Sequence, residues 1–527
     1  MRSPGKWPGL RPLAAGLAGL ATAAAYEPLR WVLLLPLGIT VLALVVHRQP
    51  LRRCWAPGLA FGAGFNFSYL FWLTAVGYDA WLALAGSLTA YFIFVGLGMG
   101  LVSRLPAWPV WSAFIWVAAE GLRGSFPFGG MPWGRLSYAT VDTWWSAGLP
   151  WVGHVGVSLL IALTGTSVAW SVCWFRGRGI RRVGPPALAG VLLLGATVAP
   201  LLLPTFAADG PQVRVAAVQG SVPGDGTDIL LDHRQVTRNH AEATARLAAD
   251  VAAGREPAPD FVLWPENSTA TDPFRDSHVN SLITQAVETI GVPVLVGAMV
   301  DGPDPTQVYN QGIVWEPGRG AGERYTKWHP VAFGEYIPFR ALFTRPFGRL
   351  SLIPRDMVAG DRSDPLWLAG TPIGTMICFD VAYDDVAHAL VRDGAGLLVV
   401  QTSNAMFIRT AQVEQQWAIS RLRALETGRH LVVASTNGVS GIVAPDGSVL
   451  HRAPLLTQSV FAGDLATGTR VTPAVWWGAW PARLVALLGL GALLAAALTY
   501  RRPGDQPTHD SAGSAGGADV QRGGEPR

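Results

Sequence analysis

The sequence predicts a multispan α-helical membrane domain carrying one inserted α/β domain. Three observations say so. Half of the 527 residues are hydrophobic and only 14% are charged, too apolar for an ordinary water-soluble chain. Apolar runs near the ~20 residues needed to cross a bilayer recur through the first part of the chain and once near its end. Between them lies a long stretch of short β-branched runs alternating with polar helical segments.

The apolar runs fall at 12–28, 30–47, 55–76, 82–103, 107–122, 148–173, 186–205 and 480–500, which predicts about eight spans. The first has a second reading: a basic start (Arg2, Lys6, Arg11), a short apolar core and the run Ala23, Ala24, Ala25 also describe a cleavable signal peptide. Orientation follows from the arginines of the short loops. Arg48, Arg52, Arg53, Arg104, Arg176, Arg178, Arg181, Arg182, Arg501 and Arg502 fall on one side if both termini are cytoplasmic, while Arg30, Arg123 and Arg135 fall on the other. The organisation expected is therefore seven spans within 1–205, an extracytoplasmic domain over 206–478, an eighth span over 479–502 and a disordered cytoplasmic tail over 503–527. The Pro- and Gly-broken aromatic loop 126–134, between the fifth and sixth spans, reads either as a lipid-positioning element or as a plain connection.

A net charge of only +4, spread over short loops, excludes a nucleic-acid partner in practice. Three cysteines at positions 54, 173 and 378 build neither a disulfide framework nor a zinc site. Cys54 and Cys173 sit at span ends and read as small apolar fillers.

Within 206–478, strands are expected at 213–219, 261–264, 292–300, 311–315, 374–378, 397–402 and 431–435, and helices at 232–253, 276–290, 383–392 and 410–427. The last helix carries Val413, Trp417, Leu422 and Leu425 on one stripe and stops at Gly428. This alternation suggests sheets covered by helices.

Three residues at strand ends carry chemistry. Cys378 closes an apolar strand ahead of an expected helix, where the positive end of the helix dipole would favour the thiolate. Glu266 follows the strand 261–264 behind Pro265, placed to take a thiol proton if burial raises its pKa. Lys327 lies among aromatics, a setting in which an ammonium stabilises an oxyanion strongly. Read singly, each has a bland alternative: a core thiol, a solvated strand end, a surface lysine.

Taken together, in the chain order Glu, Lys, Cys, they resemble the nitrilase superfamily, whose fold is an αββα sandwich. The wider chain is similar to the integral-membrane branch of that superfamily, the apolipoprotein N-acyltransferases, which place such a domain between their last two spans. The matching segments are Gln219-Gly-Ser-Val-Pro223, Trp264-Pro-Glu-Asn267, Tyr309-Asn310, Lys327-Trp-His-Pro-Val-Ala-Phe-Gly-Glu-Tyr-Ile-Pro338, Ile377-Cys-Phe-Asp380, Thr402-Ser-Asn404 and Arg423-Ala-Leu-Glu426. The resemblance implies Glu266 as general base, Lys327 as oxyanion stabiliser and Cys378 as the nucleophile that carries an acyl thioester. It implies Glu335 as a supporting glutamate, with Asn310, Tyr336, Asp380 and Asn404 as further supporting or substrate-binding residues. Phe379 and Asp380 depart from the Tyr-Glu that follows the nucleophile in some members.

The same resemblance implies a phospholipid acyl donor, the N-terminal amine of a diacylglyceryl-cysteine apolipoprotein as acceptor, a bacterial inner-membrane location, and neither metal nor organic cofactor. A membrane-tethered amidase or nitrilase that gives its acyl group to water is the near alternative. A transporter or lipid-binding protein with a dead outer domain is the distant one; Glu120, near a span end, is the main intramembrane charge in its favour. Finally, the segment 339–356 mixes Phe339, Phe343, Phe347 and Ile353 with Arg340, Arg345, Arg349 and Arg355. It reads either as a membrane-surface element or as a packed loop.

Overall fold

The computed structural model describes residues 9–179, 182–227, 232–342, 350–351 and 353–500. Arg2, Lys6, Arg181, Phe343, Arg345, Phe347, Arg349 and the tail from Arg501 onward lie outside the described residues.

The first part is a bundle of seven apolar helices: α1 (Leu10–Ala23), α2 (Leu34–Val46), α3 (Trp55–Tyr69), α4 (Tyr78–Val102), α5 (Trp108–Arg123), α6 (Leu149–Arg178) and α7 (Gly184–Val198). Small residues set its closest approach. A β-carbon on Gly19 of α1 would stand 2.0 Å from the Phe61 carbonyl oxygen of α3, and one on Gly64 would stand 2.1 Å from that of Gly16. Only glycine lets the two backbones meet there. This packs α1 into the bundle as a structural helix.

The α/β part is a four-layer sandwich. Its first sheet orders β13 (Ser459–Ala466), β1 (Gln212–Gln219), β2 (Phe261–Leu263), β3 (Val294–Asp301), β4 (Gln307–Glu316) and β5 (Gly320–Thr326), with β6 (Asp356–Met357) paired to β4. Its second orders β12 (Val449–Arg452), β11 (Gly441–Val443), β10 (Leu431–Ser435), β9 (Leu397–Thr402), β8 (Thr371–Ile377) and β7 (Leu366–Leu368). Val215, Phe261, Leu263 and Leu295 of the first sheet meet Ile377, Val399, Val432 and Ile442 of the second in one core. The alternate residues of the first sheet, Ala216, Val218, Val262 and Val294, bury the apolar faces of α8 (His233–Ala252) and α9 (Ser277–Ile290). The outer face of the second sheet is covered by α10 (Asp384–Arg392) and α11 (Ala411–Thr427). That layer has no free side: its core runs without a break into the membrane helices.

After β13, the short α12 (Pro473–Trp477) leads to the apolar α13 (Trp480–Thr499). Among the described residues four helices are long and apolar enough to cross a membrane: Tyr78–Val102, Ser146–Arg178, Gly184–Leu202 and Trp480–Thr499. The expected spans at 12–28, 30–47, 55–76 and 107–122 are shorter as helices, at 14, 13, 15 and 16 residues. At roughly 1.5 Å per residue these reach about 20–24 Å, less than a ~30 Å hydrocarbon core. The apolar runs had counted residues that fold as turns, including 24–33 and the 3-10 turn Phe71–Ala75.

Candidate active site

Glu266 lies just past β2 and is only 4% exposed. Its carboxylate is fully engaged: Asn310 Nδ2 donates to Oε1 at 2.7 Å, and the Ser403 backbone N–H donates to Oε2 at 2.9 Å. Thr436 Oγ1 donates to the Glu266 carbonyl and fixes its backbone.

Lys327 follows β5, and its backbone N–H continues the ladder to the Asn310 carbonyl. The side chain is wholly buried, with Nζ 2.5 Å from Glu335 Oε1 and 3.6 Å from Glu266 Oε1. Glu335 is aimed by its second oxygen, which accepts the Val331 N–H at 2.8 Å. Burial by itself would strip the ammonium of its proton, but Glu335 and Glu266 outweigh burial and hold its pKa above the ordinary lysine range.

Cys378 directly follows β8 with a left-handed backbone, φ 51°, a conformation in which a non-glycine residue stores strain. The helix expected at 383–392 forms as α10 from Asp384, but a five-residue 3-10 turn, Cys378–Ala382, stands between it and the cysteine. No helix dipole therefore pre-forms the thiolate. Burial, then the Glu266 charge, push the Cys378 thiol up to about 12, partly countered by Lys327. The thiol rests neutral and needs a base. Glu266 is suited to that work, since burial, with Glu335 adding to it and Lys327 opposing, raises its pKa above the usual carboxylate range.

Asp380 is completely buried and ties the lysine loop to the cysteine turn. It accepts from Tyr325 Oη at 2.9 Å and from the backbone N–H groups of His329 at 2.9 Å, Ile377 at 3.1 Å and Trp328 at 3.3 Å. The shorter acid is therefore accommodated without an unmet partner. Asn404 belongs to a different network, donating to Gln416 Oε1 at 2.6 Å and Gln412 Oε1 at 3.2 Å. Tyr336 is half-buried, and its backbone carbonyl accepts from the Phe333 N–H. Within 339–356, Arg340 pairs with Asp356 and Arg355 with Asp301, while Phe339 is exposed.

The loop 126–139 of the membrane part reaches this turn, a connection that sequence reasoning left open. Trp133 stacks on Phe379 with centroids 5.7 Å apart, the Tyr383 hydroxyl donates to the Gly130 carbonyl, and the Tyr138 hydroxyl donates to Ala382. Glu120 is accounted for here as well. It accepts from the Leu136 N–H and Trp116 Nε1, tethering the loop to α5. Arg123 donates to the Trp133 and Gly134 carbonyls, and Arg135 pairs with Asp384.

Behind the turn, Arg423 and Glu426 of α11 are fully buried and paired at 2.5 Å; Arg423 also reaches Asp384 at 2.8 Å, and His388 and His154 flank Glu426. His154, Asp384 and Glu426 bring potential ligand atoms within 4.8 Å of one another. Arg135 and Arg423 already neutralise both carboxylates, so this donor set does not suit a cation.

Residues 18–167 match the apolipoprotein N-acyltransferase N-terminal domain and residues 214–471 match the carbon-nitrogen hydrolase family. The apolipoprotein N-acyltransferase of Mycolicibacterium smegmatis is 37% identical over 510 residues, covering 92% of this chain and 85% of that relative. The one from Pseudomonas syringae pv. tomato is 31% identical over 533 residues, covering 94% and 98%. Among solved structures, an amidase from Nesterenkonia sp. AN1 aligns at 18% identity and a TM-score of 0.35, covering 48% of this chain and 93% of that one. On the length and level of its likeness to these relatives, the chain belongs to the apolipoprotein N-acyltransferase family.

Proposed function

We propose that this protein transfers a fatty acyl group from a phospholipid to the N-terminal amine of a diacylglyceryl-cysteine apolipoprotein, through a thioester on Cys378. The observation that carries the reading is the cluster of Glu266, Lys327 and Glu335, in which the buried Lys327 ammonium stands 3.6 Å and 2.5 Å from the two carboxylates while its loop is tied to the Cys378 turn through Asp380. Glu266 takes the thiol proton as the sulfur attacks the ester carbonyl, and Lys327 stabilises the oxyanion. The ester C–O bond breaks, the departing alkoxide recovers the proton from Glu266, and lysophospholipid leaves. In the second half the acceptor amine attacks the thioester, gives a proton to Glu266, and expels Cys378 as the sulfur is reprotonated. Glu335 holds Lys327 in place, and Asn310 holds Glu266.

The same reading takes 206–478 as an extracytoplasmic catalytic domain between the seventh and eighth of about eight membrane helices in the bacterial inner membrane. Loop arginines support it. Arg48, Arg52, Arg53, Arg104, Arg176, Arg178 and Arg182 are exposed. Of the three exceptions, Arg123 and Arg135 are engaged in the loop tether and the Asp384 pair, and Arg30 pairs with Glu27 and Asp142. A lipid donor also accounts for a catalytic layer fused to a membrane bundle.

Purified protein given phospholipid alone should gain the mass of one acyl chain, released by hydroxylamine, while Cys378→Ala gains none. A diacylglyceryl-cysteine peptide with a free N-terminus should discharge it to an N-acylated product, and an N-acetylated peptide should not. Release of free fatty acid at one rate with or without peptide would replace the transferase by the hydrolase.

A further inference from the structure

Three glutamines, Gln412, Gln415 and Gln416, are buried on α11, where primary amides are costly to desolvate unless each finds partners. Gln415 accepts from Trp133 Nε1 at 2.8 Å. Gln416 is placed differently, against the cysteine turn. Its Nε2 lies 3.1 Å from the Cys378 backbone carbonyl and 3.8 Å from Cys378 Sγ.

The orientation of this amide is determined. The Cys378 carbonyl only accepts, so the nitrogen must be the atom facing it. On the far side, Gln416 Oε1 collects N–H groups from Asn404 at 2.6 Å and Gln412 at 3.3 Å, with Thr402 Oγ1 at 3.4 Å. An amide nitrogen has two hydrogens. One goes to the carbonyl, and the other is left toward the sulfur.

We propose that Gln416 is a further catalytic residue, donating its second amide hydrogen to Cys378 Sγ and stabilising the thiolate both as it attacks and as it leaves the thioester. The contact is long for a neutral thiol, a weak acceptor, and tightens when the sulfur carries charge, because hydrogen bonds to ionised groups are about twice as strong. Lys327, held in place by Glu335, is the group that serves the oxyanion. Gln416 supplies the sulfur without competing for that ammonium. Asn404 and Gln412 are then positioning residues that act through Gln416.

This inference rests on Cys378 being the nucleophile, and its test reads the thiol directly. In full-length protein, the rate of Cys378 alkylation by iodoacetamide is followed against pH, with the labelled peptide identified by mass. Gln416→Met should displace the curve upward by about one pH unit, read as about tenfold slower alkylation at a fixed pH below the midpoint, since one unit is a tenfold change in thiolate. Gln416→Glu, which keeps the shape but adds negative charge, should displace it further. Gln415→Met, equally buried on the same helix but paired with Trp133 and not with Gln416, should move it much less. Unmoved curves in folded Gln416 variants, or an equal shift in Gln415→Met, would overturn the proposal. Failure of wild-type protein to form an acyl-enzyme would instead strike the transferase reading, leaving the alkylation curves to judge Gln416.

Discussion

Two groups of charges, some buried and some half-buried, border the Cys378–Ala382 turn, and they are built on opposite rules. The Glu266 group sets three carboxyls, with Glu335 and Asp380, against the single ammonium of Lys327. The Glu426 group sets two carboxylates, with Asp384, against the two guanidinium groups of Arg135 and Arg423. Burial raises Glu266 and Asp380 above the carboxylate range, and the lone lysine does not undo it. In the second group burial pushes the same way, but His154, Arg423 and His388 outweigh it at Glu426, and Arg135 and Arg423 at Asp384, so both acids stay well below their usual values. A surplus of negative charge gives a site that can accept and return a proton. A balanced set gives a rivet.

The comparison is broken most severely at Glu266. Glu266→Gln keeps the shape but cannot take a proton, and acyl-enzyme formation should fall by about 10²–10⁴-fold. Lys327→Arg comes next, on the order of 10²–10³-fold, because a planar guanidinium cannot sit where a compact ammonium is held by two carboxylates. Stopped-time mass measurement of the acyl-enzyme reads both, and near-normal rates would make the group a structural one. The charge surplus itself is tested by pH. Acylation requires ionised Glu266, so its rate should rise with pH through a limb lying above the ordinary carboxylate range. Glu335 helps raise Glu266, so Glu335→Gln should shift that limb to lower pH. A shift upward would contradict the assignment.

The balanced group should fail as a fold. Glu426→Gln leaves Arg423 buried without its closest partner, and breaking such a pair costs roughly 3–5 kcal/mol. The pH sign follows from the depressed carboxylates. Their stabilisation is fully present above the unfolded pKa values, near ~4, and is lost as pH falls through the lower folded values. Thermal unfolding against pH should therefore show a steep acid loss in the parent protein and a shallower one in Glu426→Gln. Equal slopes would mean that the group is not held ionised.

These two groups were unequally legible. Glu266 and Cys378 follow apolar strands whose β-branched runs mark them, Lys327 stands among aromatics, and the resemblance of their chain order to the nitrilase superfamily associated the three. Strands β5 and β12 escaped notice because Gly320–Thr326 is Gly-rich and polar and Val449–Arg452 is exposed throughout. The roles of Gln416 and Glu426 were hidden for another reason. On a helix, polar residues opposite an apolar stripe signal solvent, yet α11 is covered on both sides, by the second sheet and by the membrane bundle. Which layer covers a polar face is a long-range fact that local periodicity does not carry.

Trp133 gives the smallest expected effect and the sharpest view of how the two regions meet. Its ring stacks on Phe379, the residue after the nucleophile, while its Nε1 donates to Gln415 of α11, beside the glutamine facing the sulfur. Trp133→Phe keeps an aromatic surface against Phe379 and removes only the donor, leaving the buried Gln415 Oε1 unpaired, a loss of about 1–3 kcal/mol. If the membrane loop merely glues two domains together, that cost should appear in the melting temperature alone, with acylation per folded molecule unchanged. If the loop also sets the turn, acylation should slow a few-fold with phospholipid KM unaltered, since Trp133 contacts the turn and α11. Trp133→Ala, which also forfeits the stack, should widen the loss in kcat and still leave KM in place. A rise in KM without a change in kcat would assign Trp133 to lipid binding and separate the loop from the nucleophile.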